Sequence, residues 1–395
     1  MNNKTVLYFY IFAYILLFLQ SMHVWFLWGN LFKIACPILF VFAAFLNHII
    51  NSCYYEHNHS SHQHLFLIII LFISLQETYD AGILSICRSL VNVAALYELL
   101  KLHGASCKRI LNVLTKVFGV ISLTSLAGWI LFLIGFNLPN TFIEDTEFGY
   151  RFVNYYIFLY NQLGYIPRFC SIFLEPGYYG QLAAVILFAN KMKLNNIYTI
   201  AIFISTLFSL SLAGYVLIIM GFVFVTVNRG NVLKLAMLIL VGYVAFNVAK
   251  NYNHGDNPVN TLILARLEIE DGQLAGYNRT TKELDYYIEH GFLQNDKYLF
   301  GHGSEFSKMD WGNGVAGYKA YIVEHGYVGF FLAILGYILV LHRRSKINNL
   351  MRLCFILFMV LYWQAAYPYW FGFFSIYIFS LASLGNNKSK NIVLQ

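Results

Sequence analysis

Residues 168–190 read Arg-Phe-Cys-Ser-Ile-Phe-Leu-Glu-Pro-Gly-Tyr-Tyr-Gly-Gln-Leu-Ala-Ala-Val-Ile-Leu-Phe-Ala-Asn. The apolar body of this stretch has the length needed to cross a ~30 Å hydrocarbon layer. An arginine and a glutamate nevertheless stand at its start. Ionisable groups beside a membrane span are costly and are usually retained for a site. Pro176 pushes the preceding residue away from helical backbone and itself suits a first helical position. Glu175 is therefore expected just outside a helix that begins at Pro176, with Arg168 seven residues before it.

The rest of the chain extends this reading. Of 395 residues, 59% are hydrophobic and 11% charged, and the mean hydropathy is +0.59. One soluble core could not hide that much apolar surface, and the apolar residues fall in runs of spanning length. The expected fold class is all-α, a polytopic integral membrane protein. About twelve transmembrane helices are expected near 5–20, 31–50, 64–77, 81–100, 117–136, 170–190, 196–211, 212–227, 235–250, 320–341, 351–366 and 368–385. Ile197–Val227 is too long for one helix, and Ser209-Leu-Ser211 with Gly214 marks a hairpin within it. The first run is read as a retained helix, because it has no small-x-small cleavage site and further spans follow at once.

An even number of spans puts both termini on one side. The clusters Lys101/Lys108/Arg109/Lys116, Lys191/Lys193, Arg229/Lys234, Arg343/Arg344/Lys346 and Lys388/Lys390 all fall on that side. Basic short loops are cytoplasmic. The net charge of +7 is thus a topology signal and does not indicate a nucleic-acid partner. Two excursions face the other way, a smaller one near 137–169 and a large one at 251–319. The chain therefore divides into helices 1–9 over 1–250, the large extracytoplasmic loop over 251–319, and helices 10–12 with the C-terminus over 320–395. A loop of that length usually carries function.

Several groups could supply chemistry on the outer side. Arg168 and Glu175 come first, with an interfacial ion pair as the plain alternative. Arg88 lies within the fourth run, where it needs a partner: Asp80 or Glu77 in a structural reading, a lipid phosphate in a functional one. The large loop offers Arg266, Arg279, Lys319 and Gly301-His302-Gly303, a turn in which histidine could carry protons. Glu324 and His325 open the following apolar run. Three features carry less. His57, His59, His62 and His64 fall in a loop expected to be cytoplasmic, and the expectation is no metal. Asn278-Arg-Thr280 is a formal glycosylation sequon only. The aromatic stretch Phe148–Tyr165 reads equally as sugar-stacking or as an interfacial belt. Six singly placed cysteines form neither a zinc site nor a disulfide framework.

Arg168-Phe-Cys-Ser-Ile-Phe-Leu-Glu-Pro-Gly-Tyr resembles the R-x-x-(small)-x-F-x-E-P-(G/S)-(Y/F) stretch of Wzy-type polysaccharide polymerases. Gly301-His-Gly303 and Glu324-x-Gly326-x-x-Gly329 are similar to motifs that close the large outer loop of that family. The resemblance covers most of the chain in layout and about thirty residues in motif. It implies a glycosyltransferase of the bacterial inner membrane with no cofactor. The growing glycan would move from undecaprenyl diphosphate onto a new lipid-linked repeat unit, of O-antigen, capsule or exopolysaccharide. Arg168 and Arg88 would contact the diphosphate, and Arg266 and Arg279 would help bind it or the glycan. Glu175 or His302 would serve as base or organise the acceptor. The implied partners are the undecaprenyl-diphosphate-linked oligosaccharide, a flippase and a chain-length regulator. An O-antigen ligase is the sister reading, but the window Gly314-Val-Ala-Gly317 lacks the His-Asn pair that ligases tend to carry. A lipid-linked oligosaccharide flippase is the reading from another class. The absence of an evident repeat and the single large loop weigh against it.

Overall fold

The computed structural model describes residues 3–395 except 53–54, 56–60, 79–81, 146–150, 162–165, 271–272, 275–278, 312–314, 344–345, 365–366 and 386–395. Asp80, His57, His59, Asn278, Gly314, Arg344, Lys388 and Lys390 thus lie outside the described residues.

The chain is mostly helical. Its helices are α1 (Asn3–Ser21), α2 (Asn30–Ile50), α3 (Ser61–Thr78), α4 (Ile83–Lys101), α5 (Gly104–Leu133), α6 (Pro176–Ala189), α7 (Ile197–Phe208), α8 (Leu212–Asn228), α9 (Val232–Asn251), α10 (Lys282–His290), α11 (Gly317–His342), α12 (Asn349–Gln364) and α13 (Phe371–Leu384). Each expected apolar run coincides with a helix, and α10 belongs to the large loop. Among the described residues five helices, α1, α2, α5, α9 with its following turn, and α11, are long and apolar enough to cross a membrane. Local chemistry sets several boundaries. Asn196, Ser211 and Asn231 side chains accept from backbone N–H groups in the first turns of α7, α8 and α9. The Ser209–Ser211 hairpin sits where the sequence places it, between α7 and α8.

Helix α6 is the hub. From Tyr179 to Ala189 every residue is buried, as expected of a helix that is apolar all round. It packs on α8 where Gly180 and Gly214 bring the two backbones together, and a side chain at either position would press on the partner helix. At the other extreme, α9 exposes Met237, Ile239, Leu240 and Val241 to more than half of their full area. That apolar face has no protein covering it and suits lipid.

Three expectations change. The fold is not purely α. Residues 137–169 hold an antiparallel meander of β1 (Thr141–Glu144), β2 (Arg151–Asn154) and β3 (Leu159–Asn161), and β4 (Ile269–Glu270) pairs with β5 (Gln273–Leu274) in the large loop. Helical periodicity searches pass over such short strands. Phe152, Phe158 and Leu159 are buried, so this part of the aromatic stretch packs a core and is closed to sugar rings. The 170–190 run shortens to its helical part from Pro176, the start that the proline itself predicted, because the residue before a proline is driven to extended backbone. Finally, α5 starts at Gly104 and not near 117, so Lys108, Arg109 and Lys116 ride on the helix itself.

Residues 168–175 are thus non-helical backbone against the bundle, and their polar groups need partners. The Phe169 N–H donates to the Phe208 carbonyl at 3.0 Å, and the Ser171 carbonyl accepts from Leu159 N–H at 2.7 Å. Trp25 N–H donates to the Ile172 carbonyl at 3.3 Å. The hydroxyls of Ser171 and Ser125 meet at 2.7 Å. The segment is clamped on all sides before it delivers Glu175 to the head of α6.

Candidate functional site

Glu175 has extended backbone (φ −135°, ψ 145°) and occupies the position before the first turn of α6, with Pro176 at the helix start. Its carboxylate does not cap the helix. Among the described residues it makes no hydrogen bond and no close ion pair, and burial lifts its pKa above the ordinary carboxylate value against the opposing charges of Arg279 and Arg168. The head of α6 contributes its own positive dipole end.

Arg168 does not follow the plain alternative. It does not pair with Glu175. Its Nε donates to the Ser209 carbonyl at 3.2 Å and its Nη2 to the Leu210 carbonyl at 3.0 Å. Leu210 lies in the left-handed region (φ 47°), so the α7–α8 turn aims consecutive carbonyls at the guanidinium. A turn between helices has carbonyls with no helical partner, and a planar fork satisfies two of them at once. Burial first, and then the positive charge of Arg266, pulls the Arg168 pKa below its ordinary value. Arg266, from the large loop, is therefore near Arg168.

Arg168, Arg266, Arg279 and Glu175 are thus gathered at one end of the bundle, two from the α6 approach and two from the large loop. Arg279 and Arg168 act on the Glu175 carboxylate and Arg266 acts on Arg168, so cations outnumber the carboxylate. Such an excess of cation is an anion site by charge, and guanidiniums suit phosphate oxygens bidentately.

Arg279 also marks the way to a second constellation. Its carbonyl accepts from Ala316 N–H at 2.9 Å, at the start of α11. Seven residues further on, about 10 Å along the helix axis, come Glu324 and His325. They do not simply open an apolar run. Helix α11 breaks at Gly326 (φ 70°, ψ 176°), and residues 299–303 of the large loop enter the break. The His302 N–H donates to the Val323 carbonyl at 3.0 Å, and Val328 N–H to the Leu299 carbonyl at 3.0 Å. Buried His325 lies between Glu77 Oε1 at 3.5 Å and Glu324 Oε2 at 3.8 Å, with Gln76 Oε1 at 3.3 Å from its Nδ1. The Gln76 amide also donates to the Phe300 carbonyl and, at 3.3 Å, to that of His325. Glu77, a candidate partner of Arg88 by sequence, faces His325.

The remaining candidates have defined places. His302 is buried and its Nε2 meets Tyr287 Oη at 2.8 Å. Burial, and then Lys297, pulls its pKa below the usual imidazole value. That makes His302 a tie between α10 and the loop turn. Lys319 pairs with Asp285 at 2.6 Å, fastening α10 to α11. Arg88 is exposed on α4, apart from both constellations, and faces a cavity shared with α1, α2 and α13. Among the described residues there is no His/Cys/Asp/Glu group able to hold a metal ion.

Sequence reasoning passed over Gln76, Tyr287 and Lys33. Gln76-Glu77 did carry a signal, two polar residues closing an apolar run. No family model matches the chain, and neither does any curated protein or solved structure.

Proposed function

We propose that the chain is a polysaccharide repeat-unit polymerase of the bacterial inner membrane, crossing it about twelve times with both termini in the cytoplasm. The large loop and the Glu175 end would face outward. The topology is supported by charge. Lys191 feels Lys108, Lys193 and Arg229 together, so basic residues from three stretches of sequence collect away from the Glu175 end.

The observation that carries the activity is a carboxylate with no bonded partner among the described residues, on which the charges of Arg279 and Arg168 act, with Arg266 acting in turn on Arg168. The reaction needs these parts. An acceptor sugar hydroxyl attacks the anomeric carbon of the lipid-linked glycan, and the bond from that carbon to the diphosphate oxygen breaks. The leaving lipid diphosphate keeps the electron pair, and guanidiniums stabilise the charge that develops there. The hydroxyl proton passes to Glu175, which the site leaves free of hydrogen bonds. The diphosphate is its own activated leaving group, so no nucleotide is required. A flippase that supplies the substrate and a regulator of chain length are the membrane partners this reaction calls for.

The test is the size ladder of surface glycan from a deletion strain. Complementation with the wild-type chain should restore long polymer, whereas Arg168→Ala and Glu175→Gln should leave single repeat units on the acceptor. Loss of even the single repeat would point to a ligase. Repeat units trapped on the inner leaflet would point to a flippase.

A further inference from the structure

The bundle holds a second cationic cavity that the Glu175 site does not use. It has a volume of 260 Å³ and lies among α1, α2, α4 and α13. Gln20, His23, Lys33, Arg88 and Asn92 line its polar side, and Trp370 forms a wall. Lys33 comes from the first turn of α2 and Arg88 from the second turn of α4. Among the described residues no carboxylate lines the cavity, and Arg88 makes no hydrogen bond or salt bridge. Leu17, Leu96 and Phe371 supply an apolar floor. An arginine without a bonded partner, with a lysine on the same cavity wall and apolar surface beneath, matches a phosphate attached to a hydrocarbon chain. The guanidinium can grip two oxygens, and the ammonium adds a point charge.

The cavity is next to the Glu175 site. The Trp370 ring meets the Tyr178 ring edge to face with centroids 5.2 Å apart, and Tyr178 is three residues after Glu175. One aromatic pair therefore separates two cationic sites.

We propose that this cavity binds the diphosphate of a second lipid-linked substrate, the acceptor, while the Arg168 cluster binds that of the donor. The inference rests on the polymerase reading. Joining two lipid-linked glycans brings together two diphosphates, and only the donor's is cleaved. The acceptor reacts through a hydroxyl of its glycan and keeps its own lipid bond. Its diphosphate is held a glycan's length from the reaction, so a separate site is required. Arg88 and Lys33 anchor it there without taking part in bond breaking.

Lipid phosphate is the shared chemistry of a polyprenyl diphosphate and an ordinary phospholipid, and the test separates them. The full chain in phosphatidylcholine nanodiscs is titrated with undecaprenyl diphosphate and bound lipid is counted by native mass spectrometry. Two bound lipids are expected for the wild type, and one for Lys33→Ala/Arg88→Ala with its thermal unfolding unchanged. Arg88→Lys should keep the second lipid with binding weakened several-fold, which a general loss of structure would not produce. The proposal is overturned by a single bound lipid in the wild type, or by two in the double variant. It is equally overturned if phosphatidylglycerol or inorganic diphosphate displaces the second lipid as well as undecaprenyl diphosphate does. The two readings fail separately. Full-length polymer from a Glu175→Gln strain sinks the Glu175 mechanism, whereas the lipid count judges the cavity alone.

Discussion

Gly301 and Gly326 pack backbone against backbone, both in the left-handed region, with φ of 73° and 70°. A Cβ on Gly301 would overlap the Glu324 carbonyl, and one on Gly326 would overlap the Leu299 carbonyl. The large loop can enter the α11 break only because neither residue has a side chain. Gly301→Ala or Gly326→Ala should cost about 1–3 kcal/mol in strain alone, with the overlap adding to it. The expected outcome is a lower unfolding temperature of the detergent-purified protein and loss of long polymer. Gly242→Ala on α9, where nothing lies within 4 Å of an added Cβ, is the control and should be silent.

Arg168 has two tasks in one side chain, and they separate by substitution. Its forked bonds to the Ser209 and Leu210 carbonyls fasten the α7–α8 turn. Its charge belongs to the cluster with Arg266. Arg168→Ala leaves those carbonyls short of a donor, a cost of about 1–3 kcal/mol, and also removes a cation. Arg168→Lys keeps the charge but cannot reproduce the fork. Thermal unfolding of the lysine variant should fall between the other two, and its polymer yield should drop more than its stability does.

The long-range layout was legible because apolar helices write their presence in apolar runs that need no tertiary context. Pro176 similarly announced the head of α6, since proline constrains its neighbour locally. Arg168 was legible as a special residue but not in its partner. Seven residues of non-helical chain, turning at Ser171, separate it from Glu175, and its true acceptors lie 41 and 42 positions later in a turn. The α11 break was hidden for a different reason. Gly326 sits in an otherwise helical pattern, and only residues 299–303 entering from the loop show that the helix must open there. Short strands such as Leu159–Asn161 are set by pairing across the meander, a signal no single stretch contains.

His302 gives the large loop a pH dependence of defined sign. Burial holds its pKa below the unfolded value of ~6.5, so the folded loop keeps the ring neutral and bonded to Tyr287. Above ~6.5 neither state binds the proton and the contribution is complete. Below it the unfolded chain takes up the proton first, and stability declines as pH falls toward the folded-state pKa. Protection factors for hydrogen exchange across residues 282–303, taken against the intrinsic rate at each pH, should therefore fall between pH 7 and pH 5. His302→Gln should flatten that dependence, and Tyr287→Phe should weaken protection at pH 7.

Glu175 separates catalysis from packing most directly, because among the described residues its carboxylate bonds to nothing that the fold would miss. Glu175→Gln keeps the size of the side chain and the extended backbone before Pro176 but removes the proton acceptor. If the carboxylate is the base, turnover should fall about 100- to 10,000-fold with thermal unfolding close to that of the wild type. Glu175→Asp shortens the reach by one methylene and should retain part of the activity. The measurement is polymer length with purified protein and lipid-linked repeat units, read alongside binding of undecaprenyl diphosphate. Removing one negative charge from among Arg168 and Arg279 should leave lipid binding equal or tighter, so a variant that binds and does not polymerise is the expected signature. Weakened binding with undiminished turnover at saturation would instead make Glu175 a binding residue, and the base would have to be sought elsewhere.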